Sequence, residues 1–510
     1  MEKHVTPMKR KCILKLWIIH ILAGIAISSM AAFVIFTFTN TFDNAILSSL
    51  ELKNGTSVFT WWERPPVRPI YKIRIFNYSN VEDFQSGKDS KLRVEEVGPY
   101  VYRETLSRVN VKLHENGTAS YQEKRSFQWE GGSSDDEKIE IPNIMLLTTL
   151  AFTRDKSYLA QLSVTTLLSS LRVKTFNSLT VRDFLWGYDD EIYNMVKHII
   201  TLQYGSALEK FGLLATKTGV SKDRITIDTG SKGDLRNLGV YQRFNGMKSR
   251  PIWGDEKCDR IEGTDGSMFP PQLVKDRNAT LQIYVKDMCR AIPLKLHGHG
   301  NALGIPTLRY KLPADVFTSS DTKDSCFCTK ISKDEEASSA KKCPPVGIFN
   351  VSSCNFGAPM LISLPHFYLA EKSVSTNIDG LNPSKELHET YMDLHPRLGI
   401  PIGGWSRFQI NIEVRKAIGV PFIGKLKDGT ILPLMWMEVG IDEMPEQLLS
   451  LLQHAYFTAR VVEGILQWGS LICLFLSLTT ILIMLQKKKA QQQPLHRLQR
   501  NVSGQDRLLG

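Results

Sequence analysis

Two long uncharged stretches constrain this chain more than any other feature. Leu16 to Phe38 spans 23 residues without Asp, Glu, Lys or Arg, and its only titratable side chain is His20. Ile465 to Leu485 is a second uncharged run, of 21 residues. At about 1.5 Å per residue, either run crosses a hydrocarbon core roughly 30 Å thick. A buried core helix is usually shorter and more mixed, so both read as membrane-spanning helices. The first has the basic flank of a signal peptide. Its apolar stretch exceeds the roughly 7–15 residues of such a segment, and it ends in Phe33, Phe36 and Phe38 without an Ala-x-Ala-like cleavage site. It reads as an uncleaved anchor.

Orientation follows from the flanking charges. Lys3, Lys9, Arg10, Lys11 and Lys15 precede the first span, and Lys487, Lys488, Lys489, Arg497, Arg500 and Arg507 follow the second. Both tails, residues 1–15 and 486–510, are therefore expected in the cytoplasm. Set against Glu2 and Asp506, these basic residues supply +9 of the formal charge of +11 and leave the region between the spans near +2. The pI of about 9.1 thus reports topology, and no nucleic-acid partner is expected. Cys12 borders the first span on its basic side, a position suited to palmitoylation, with a plain free thiol as the equal alternative. Cys473 lies inside the second span and reads as apolar filling.

Residues 39–464 are then extracellular or luminal. Sequons at Asn54, Asn77, Asn116, Asn278 and Asn350 all fall there, whereas the sequon at Asn501 falls in a cytoplasmic tail and should stay bare. Six of eight cysteines (Cys258, Cys289, Cys326, Cys328, Cys343 and Cys354) lie within 97 residues of the same region. In an oxidising compartment this reads as three disulfides, and a Cys-x-Cys spacing fits structural zinc poorly. Spacing alone leaves every pairing open.

With 42% hydrophobic and 23% charged residues, the chain is neither disordered nor a polytopic transporter. Period-two alternation predicts strands at Ile70–Asn77, Arg93–Tyr102, Ser107–Leu113, Ala119–Trp129, Thr280–Tyr284 and Phe408–Val414. Met145–Gly212 has few glycines and no proline, with apolar residues at helical spacing (Leu159, Leu162, Leu167, Leu171). It reads as a helical insertion, residues 143–212, in one β-rich α+β ectodomain. Pro445–Val462 is an amphipathic stretch expected near the bilayer surface or against the ectodomain.

No catalytic signature stands out: there is no Gly-x-Ser-x-Gly elbow, phosphate loop, His-Glu-x-x-His or dinucleotide fingerprint. His297-Gly298-His299-Gly300 lacks a nearby third metal ligand. Asp135, Asp136 and Glu137 lack calcium-loop spacing and read as a solvated turn. No enzymatic activity, cofactor or metal is expected.

Several motifs together resemble the class B scavenger receptor family, the group containing fatty-acid translocase, the high-density-lipoprotein receptor and a lysosomal integral membrane protein. They are Glu96-Val97-Gly98-Pro99-Tyr100-Val101-Tyr102-Arg103-Glu104; Leu185-Trp186-Gly187-Tyr188; Gly263-Thr264-Asp265-Gly266 followed by Phe269-Pro270-Pro271; Cys289-Arg290; Gly357-Ala358-Pro359 with Ser363-Leu364-Pro365-His366-Phe367; and Arg407-Phe408-Gln409-Ile410-Asn411. Their order is collinear from one span to the other. The resemblance implies pairing of Cys258 with Cys326, Cys289 with Cys354 and Cys328 with Cys343. It also implies a β-barrel-like core, a helical apex and a largely apolar tunnel through the core toward the membrane.

The function so implied is capture of lipoproteins or other lipid-bearing particles, followed by transfer of sterol, fatty acid or carotenoid to the membrane. Val346–Phe349 and Met360–Leu364 could wall such a tunnel, although ordinary core is the favoured reading for any single residue among them. Capture in this family uses the apex, often through cations, and Arg154, Lys156, Arg172, Lys174 and Lys197 lie there; Arg172 and Lys174 are the leading pair. The acids Asp155, Asp183, Asp189, Asp190 and Glu191 make the apex mixed rather than plainly basic. The lysine with which one branch binds fatty acid falls at Ser169 here, so that ligand mode is not simply inherited. The plasma membrane is the expected location. An endosomal or lysosomal protein that handles lipid or carries a hydrolase is the alternative, since Leu508-Leu509 resembles a dileucine signal, with Gly504 where an acid usually stands. Phagocytic recognition, a sensory role with apolar odorants and assembly as a homo-oligomer stay open.

Overall fold

The computed structural model describes residues 7–204, 207–231, 234–320, 324–330, 341–417 and 422–505, apart from the side chains of 7–15, 199, 203–204, 329–330, 341–342 and 491–505. Cys12's side chain, Asn501's side chain and Leu508-Leu509 lie outside the described residues. The chain divides into two compact units. One is Leu50–Leu449; the other joins Met1–Ser49 to Ser450–Gly510.

In the terminal unit, helix Pro7–Phe38 packs along helix Ala459–Gln505. Their apolar parts are long enough to cross a membrane and fit a two-pass topology. Gln467 Nε2 donates to the Phe36 carbonyl at 2.8 Å. Ten residues before Phe36 and ten after Gln467, Ala26 and Ser477 are buried. Small side chains there allow close approach, and the Gln467 bond adds polar cohesion. Cys473 is an exposed free thiol. Helix Glu446–Gln453 continues through a π-helical turn, His454–Thr458, into the second span. The amphipathic Pro445–Val462 stretch is thus continuous with that span. Within it Arg460 stacks on the Tyr456 ring, 4.6 Å from its centroid, and donates to its hydroxyl at 2.9 Å.

The larger unit is built on the strands β1 (Ile70–Tyr78), β2 (Leu92–Leu113), β3 (Thr118–Gly132), β4 (Ile225–Asp228), β5 (Tyr241–Phe244), β6 (Leu281–Val285), β7 (Arg290–Ala302), β8 (Ile305–Lys311), β9 (Met360–Ser363), β10 (Tyr391–Leu394), β11 (Pro401–Glu413) and β12 (Ile431–Gly440). They form one sheet in the order β5-β4-β3-β2-β1-β12-β11-β10-β8-β7-β6, with neighbours antiparallel and β9 added to β11. The sheet is nearly closed, because Gly263 and Thr264 stitch its two edges. Tyr241 N–H donates to the Gly263 carbonyl at 2.9 Å, Thr264 N–H to Gln282 O at 3.0 Å, and Tyr284 N–H to Thr264 O at 2.9 Å. Such pairing removes the exposed edge that an open sheet must protect. Gly263 sits at φ +93°, and a Cβ there would meet the Gln282 carbonyl at 2.2 Å, so only glycine fits. Two residues after Gly263, Asp265 pairs at 2.7 Å with the buried guanidinium of Arg108 on β2. That guanidinium lies 5.0 Å from the ring centroid of Trp62 and 5.4 Å from that of Tyr121.

The main core lies inside this sheet, where Ile73, Ile75, Tyr100, Leu432, Leu434 and Met435 are fully buried. Above it stand α1 (Ile144–Thr153), α2 (Tyr158–Ser170), α3 (Val181–Trp186) and α4 (Glu191–Tyr204). Polar side chains cap their starts: Asn143 accepts from Leu146 N–H at 2.9 Å, Thr180 from Asp183 N–H at 3.2 Å and Asp190 from Tyr193 N–H at 2.9 Å. Helix α1 buries Ile144, Met145, Leu146, Leu147 and Leu150 in the main core and packs on α2, α4 and β11. The fold is α+β, with a barrel-like core and a helical apex.

Cys258 is joined to Cys326, Cys289 to Cys354 and Cys328 to Cys343. The bridges enclose an aromatic cluster of Trp253, Phe327 and Phe349, with the Arg290 guanidinium 4.4 Å from the Phe327 centroid. Asn54, Asn116 and Asn278 are exposed and Asn77 is half-buried. Asn350 is 7% exposed and accepts from Ser352 N–H at 2.9 Å. The acidic run also departs from expectation. Asp135 is buried rather than solvated, because it accepts from the Tyr102 hydroxyl at 2.9 Å and from Arg182 at 2.7 Å. Glu137 accepts from the Tyr100 hydroxyl at 2.7 Å.

Candidate functional site

The apex carries an open groove of about 620 Å³ between the end of α2 and the face of α4, lined by Ser170, Leu171, Arg172, Glu191, Asn194 and Met195. Arg172 sits in the turn that ends α2, in the left-handed region at φ 49°. It is exposed, with Glu191 on the opposite wall. Lys174, two residues on, is exposed on the same connection but outside the groove lining, and its carbonyl accepts from the Asn143 amide at 3.0 Å. Arg154 is neutralised by Asp428 at 3.1 Å. Lys156 is exposed and Lys197 half-buried on α4. Among the described residues Arg172, Lys174, Lys156 and Lys197 have no ion-pair partner. Two of the apex acids are committed: Asp189 pairs with Lys210 at 3.1 Å, and Asp190 is buried as a helix cap, where burial raises its carboxyl above the usual range.

Helix α2 holds no charged residue. It buries Gln161 and Leu168 and turns Tyr158, Leu159, Leu162 and Leu167 outward, with Leu159 73% exposed; Phe152 of α1 is exposed beside it. The helical spacing of these residues was legible, but not the direction they face. The missing signal was charge: a solvated helix face normally carries some.

Below the apex, the candidate wall segments line the core. Ile348 and Phe349 are fully buried and Val346 is exposed. On β9 the side chains alternate: Met360 and Ile362 enter the main core, whereas Leu361 joins a separate cluster with Ile348 and Phe367. Beside this wall runs a buried polar network that sequence reading did not assign. His366, at φ 52°, contacts Glu96 Oε2 through Nε2 at 2.5 Å. Its Nδ1 accepts from Asn382 N–H at 3.0 Å, and its own backbone N–H donates to Gln409 Oε1 at 2.7 Å. With Nδ1 accepting, the neutral ring carries its proton on Nε2 and donates it to Glu96. Trp436 Nε1 also donates to Glu96 at 2.9 Å, and Arg74 lies 3.4 Å away. Burial pushes the Glu96 carboxyl up, but the His366 and Trp436 donors and the Arg74 guanidinium outweigh it and hold the group below its usual range. His388 stacks on His366 with centroids 4.7 Å apart. Burial first, and then the neighbouring His366, push the His388 pKa down to about 4.

The CD36 family profile matches residues 21–485. Lysosome membrane protein 2 of Rattus norvegicus is 31% identical over 451 residues, covering 87% of this chain and 90% of that protein. The protein of that name from Homo sapiens is 31% identical over 446 residues, covering 86% and 88%. Scavenger receptor class B member 1 of Bos taurus is 28% identical over 468 residues, covering 90% and 87%.

Proposed function

This chain belongs to the CD36 family, and from that premise we propose that it captures lipid-bearing particles at its helical apex and passes their lipid through the ectodomain to the membrane. The reading rests above all on the uncharged, outward-facing side of α2, which stands beside the Arg172 groove and on top of an apolar core. Tyr158, Leu159 and Leu162 suit the acyl surface of a particle, and Arg172 and Lys174 suit its anionic head groups.

The energetics favour a dry route. An acyl chain or sterol loses about 0.8 kcal/mol for each CH₂ exposed to water, so desorption through solvent is slow. A passage walled by residues such as Met360, Ile362 and Phe349 lets cargo move down its own gradient without full hydration and without a nucleophile or energy source. Sterol, fatty acid and carotenoid are the proposed cargo classes, and the plasma membrane is the proposed working site.

The likeness to lysosome membrane protein 2 favours a second reading, in which the same apex and interior serve an endosomal or lysosomal membrane. Imaging of the chain with a tag in the N-terminal tail separates the two locations.

The capture step is tested on cells displaying the full chain, by binding of labelled lipoprotein particles. Arg172→Glu with Lys174→Glu is expected to reduce binding severalfold at equal surface display. Unchanged binding would remove the apex cations from the capture site. Mass spectrometry of lipid co-purifying with the folded chain tests the interior: a stoichiometric sterol, fatty acid or carotenoid is expected, and its absence speaks against a lipid route.

A further inference from the structure

The sheet is stitched along β6 but not along the whole of β7. Strand β6 pairs with β7 only from Arg290, opposite Val285, to Leu294, opposite Leu281. On its other side β7 continues against β8 as far as Ala302, opposite Ile305. Among the described residues, no strand pairs with the outer side of β7 beyond Leu294. The ladder shows which backbone groups face outward there. Gln282 and Tyr284 turn theirs to Thr264, so Leu281 and Val285 turn theirs to β7, and Lys295 turns its own to β8. A β-bulge between Leu296 and Gly298 shifts the register. At the far end Leu303, at φ 53°, and Gly304, at φ 78°, form a two-residue turn, which makes Ala302 and Ile305 its hydrogen-bonded closing pair. Counting back from Ala302, Gly300 and Gly298 bond to β8, and the N–H and C=O groups of His299 and Asn301 point outward. Pro306 stands opposite Asn301 and has no N–H, as a position facing away from β7 allows.

This stretch of edge is bare. His299 and Asn301 are exposed, a Cβ added at Gly298 would meet nothing within 4 Å, and no Asp, Glu, Lys or Arg stands between Leu296 and Ala302. Proteins guard such an edge with charge, bulges, proline or a covering segment. Lys295 and the bulge guard its start, but no such device follows from His299 to Asn301 among the described residues. What stands beside it is a sequon, Asn278-Ala279-Thr280, at the entrance to β6. After helix Pro271–Lys275, Asp276 accepts from Asn278 N–H at 3.0 Å and its carbonyl from Ala279 N–H at 3.1 Å, a turn that leaves Asn278 exposed. Burial, and then the Asp276 carboxylate, raise the Tyr310 hydroxyl above its usual range. Tyr310 lies opposite Leu296, so this turn sits where the free edge begins. At about 3.3 Å per residue, Asn301 is roughly 23 Å beyond Leu294, a distance that a branched oligosaccharide spans.

We propose that an N-glycan on Asn278 covers the free edge of β7 and keeps two ectodomains from joining along it. The role is independent of lipid capture. Without the sugar, two copies of this edge are complementary to each other in antiparallel register about Gly300: His299 of one faces Asn301 of the other, and each pair exchanges two backbone hydrogen bonds. Glycine opposite glycine at the centre puts no side chain in the way. A hydrated oligosaccharide fills the approach without adding a strand.

The test compares full chains purified in detergent from glycosylating cells, with site occupancy read by glycopeptide mass spectrometry and molar mass by light scattering. Asn278 is expected to be occupied, and Asn278→Gln to form severalfold more higher-order species than the natural chain. Adding Asn301→Lys, which sets like charges against each other across the joint, should restore the natural mass. Adding His299→Pro, which removes an outward N–H and no ladder bond, should do the same. Asn116→Gln, which removes a different sequon, should leave the mass unchanged. Where Asn278→Gln is not exported, endoglycosidase treatment of the mature natural and Asn301→Lys chains makes the same comparison: the first associates and the second does not. An unoccupied Asn278, a natural mass after loss of its glycan, association undiminished by both edge substitutions, or an equal rise in Asn116→Gln would each overturn the proposal.

Discussion

His388 is the side chain whose environment has the clearest consequence in solution. Its pKa falls from 6.5 to about 4 because the ring is buried and stacked on His366. The unfolded chain therefore takes up a proton first as pH falls below 6.5. Stability from this group is complete above that pH and is lost progressively down to about pH 4, by at most about 3 kcal/mol. Thermal melts of the solubilised chain between pH 4 and 7 should show this loss, and His388→Asn should flatten the profile over that range. Glu96 acts in the same direction: its lowered pKa contributes stability above the usual carboxylate range that is lost as pH falls further. The sequons give a second residue-scale prediction. Replacing Asn54, Asn116 or Asn278, all exposed, by Gln should each remove a glycan on gel mobility. The motifs around Glu96 and His366 were visible in the sequence, but their chemistry was not. The two residues lie 270 positions apart, and only the closed sheet brings them together. Asp135 is the same lesson in reverse: its partner tyrosine sits in a motif already singled out, yet nothing local marked the carboxylate as buried.

At the scale of elements, closure of the sheet depends on a dipeptide. Gly263→Ala places a methyl group 2.2 Å from the Gln282 carbonyl and strains a positive φ. It is expected to destabilise the ectodomain by about 2 kcal/mol or more, read as a lower melting temperature and reduced surface display. Helix α2 makes the complementary prediction. Leu159→Glu with Leu162→Glu lies on an exposed face, so folding should be unaffected. Particle binding should fall by about tenfold or more, since each apolar side chain gains roughly 1.5–3 kcal/mol when buried on contact. Retained binding would detach the α2 face from capture. Strands with one wet face were legible from alternation: β1, β3 and β6 fall close to the predicted segments, and two predicted segments merge into the single long β2. β12 was not legible, because Ile431–Met437 is buried throughout and shows no period of two. β7 escaped notice because its glycines and histidines dilute the pattern.

The whole molecule was the most legible level. Two uncharged runs, basic tails and a glycosylation-prone, cysteine-bearing middle already implied a doubly anchored ectodomain, and the terminal helices and the family match agree with it. What the sequence withheld was the relation between apex and interior, which arises from long-range strand pairing. Lipid movement belongs to this scale, since it needs capture, passage and delivery in one chain. The most direct test is transfer of a labelled lipid from bound particles to cells whose endocytosis is blocked, comparing the natural chain with Ile362→Trp at equal surface display and equal particle binding. Ile362 is buried in the main core, and the larger ring narrows the space beside it. The account predicts that transfer falls by about fivefold or more while binding is retained; transfer at the unaltered rate would contradict it.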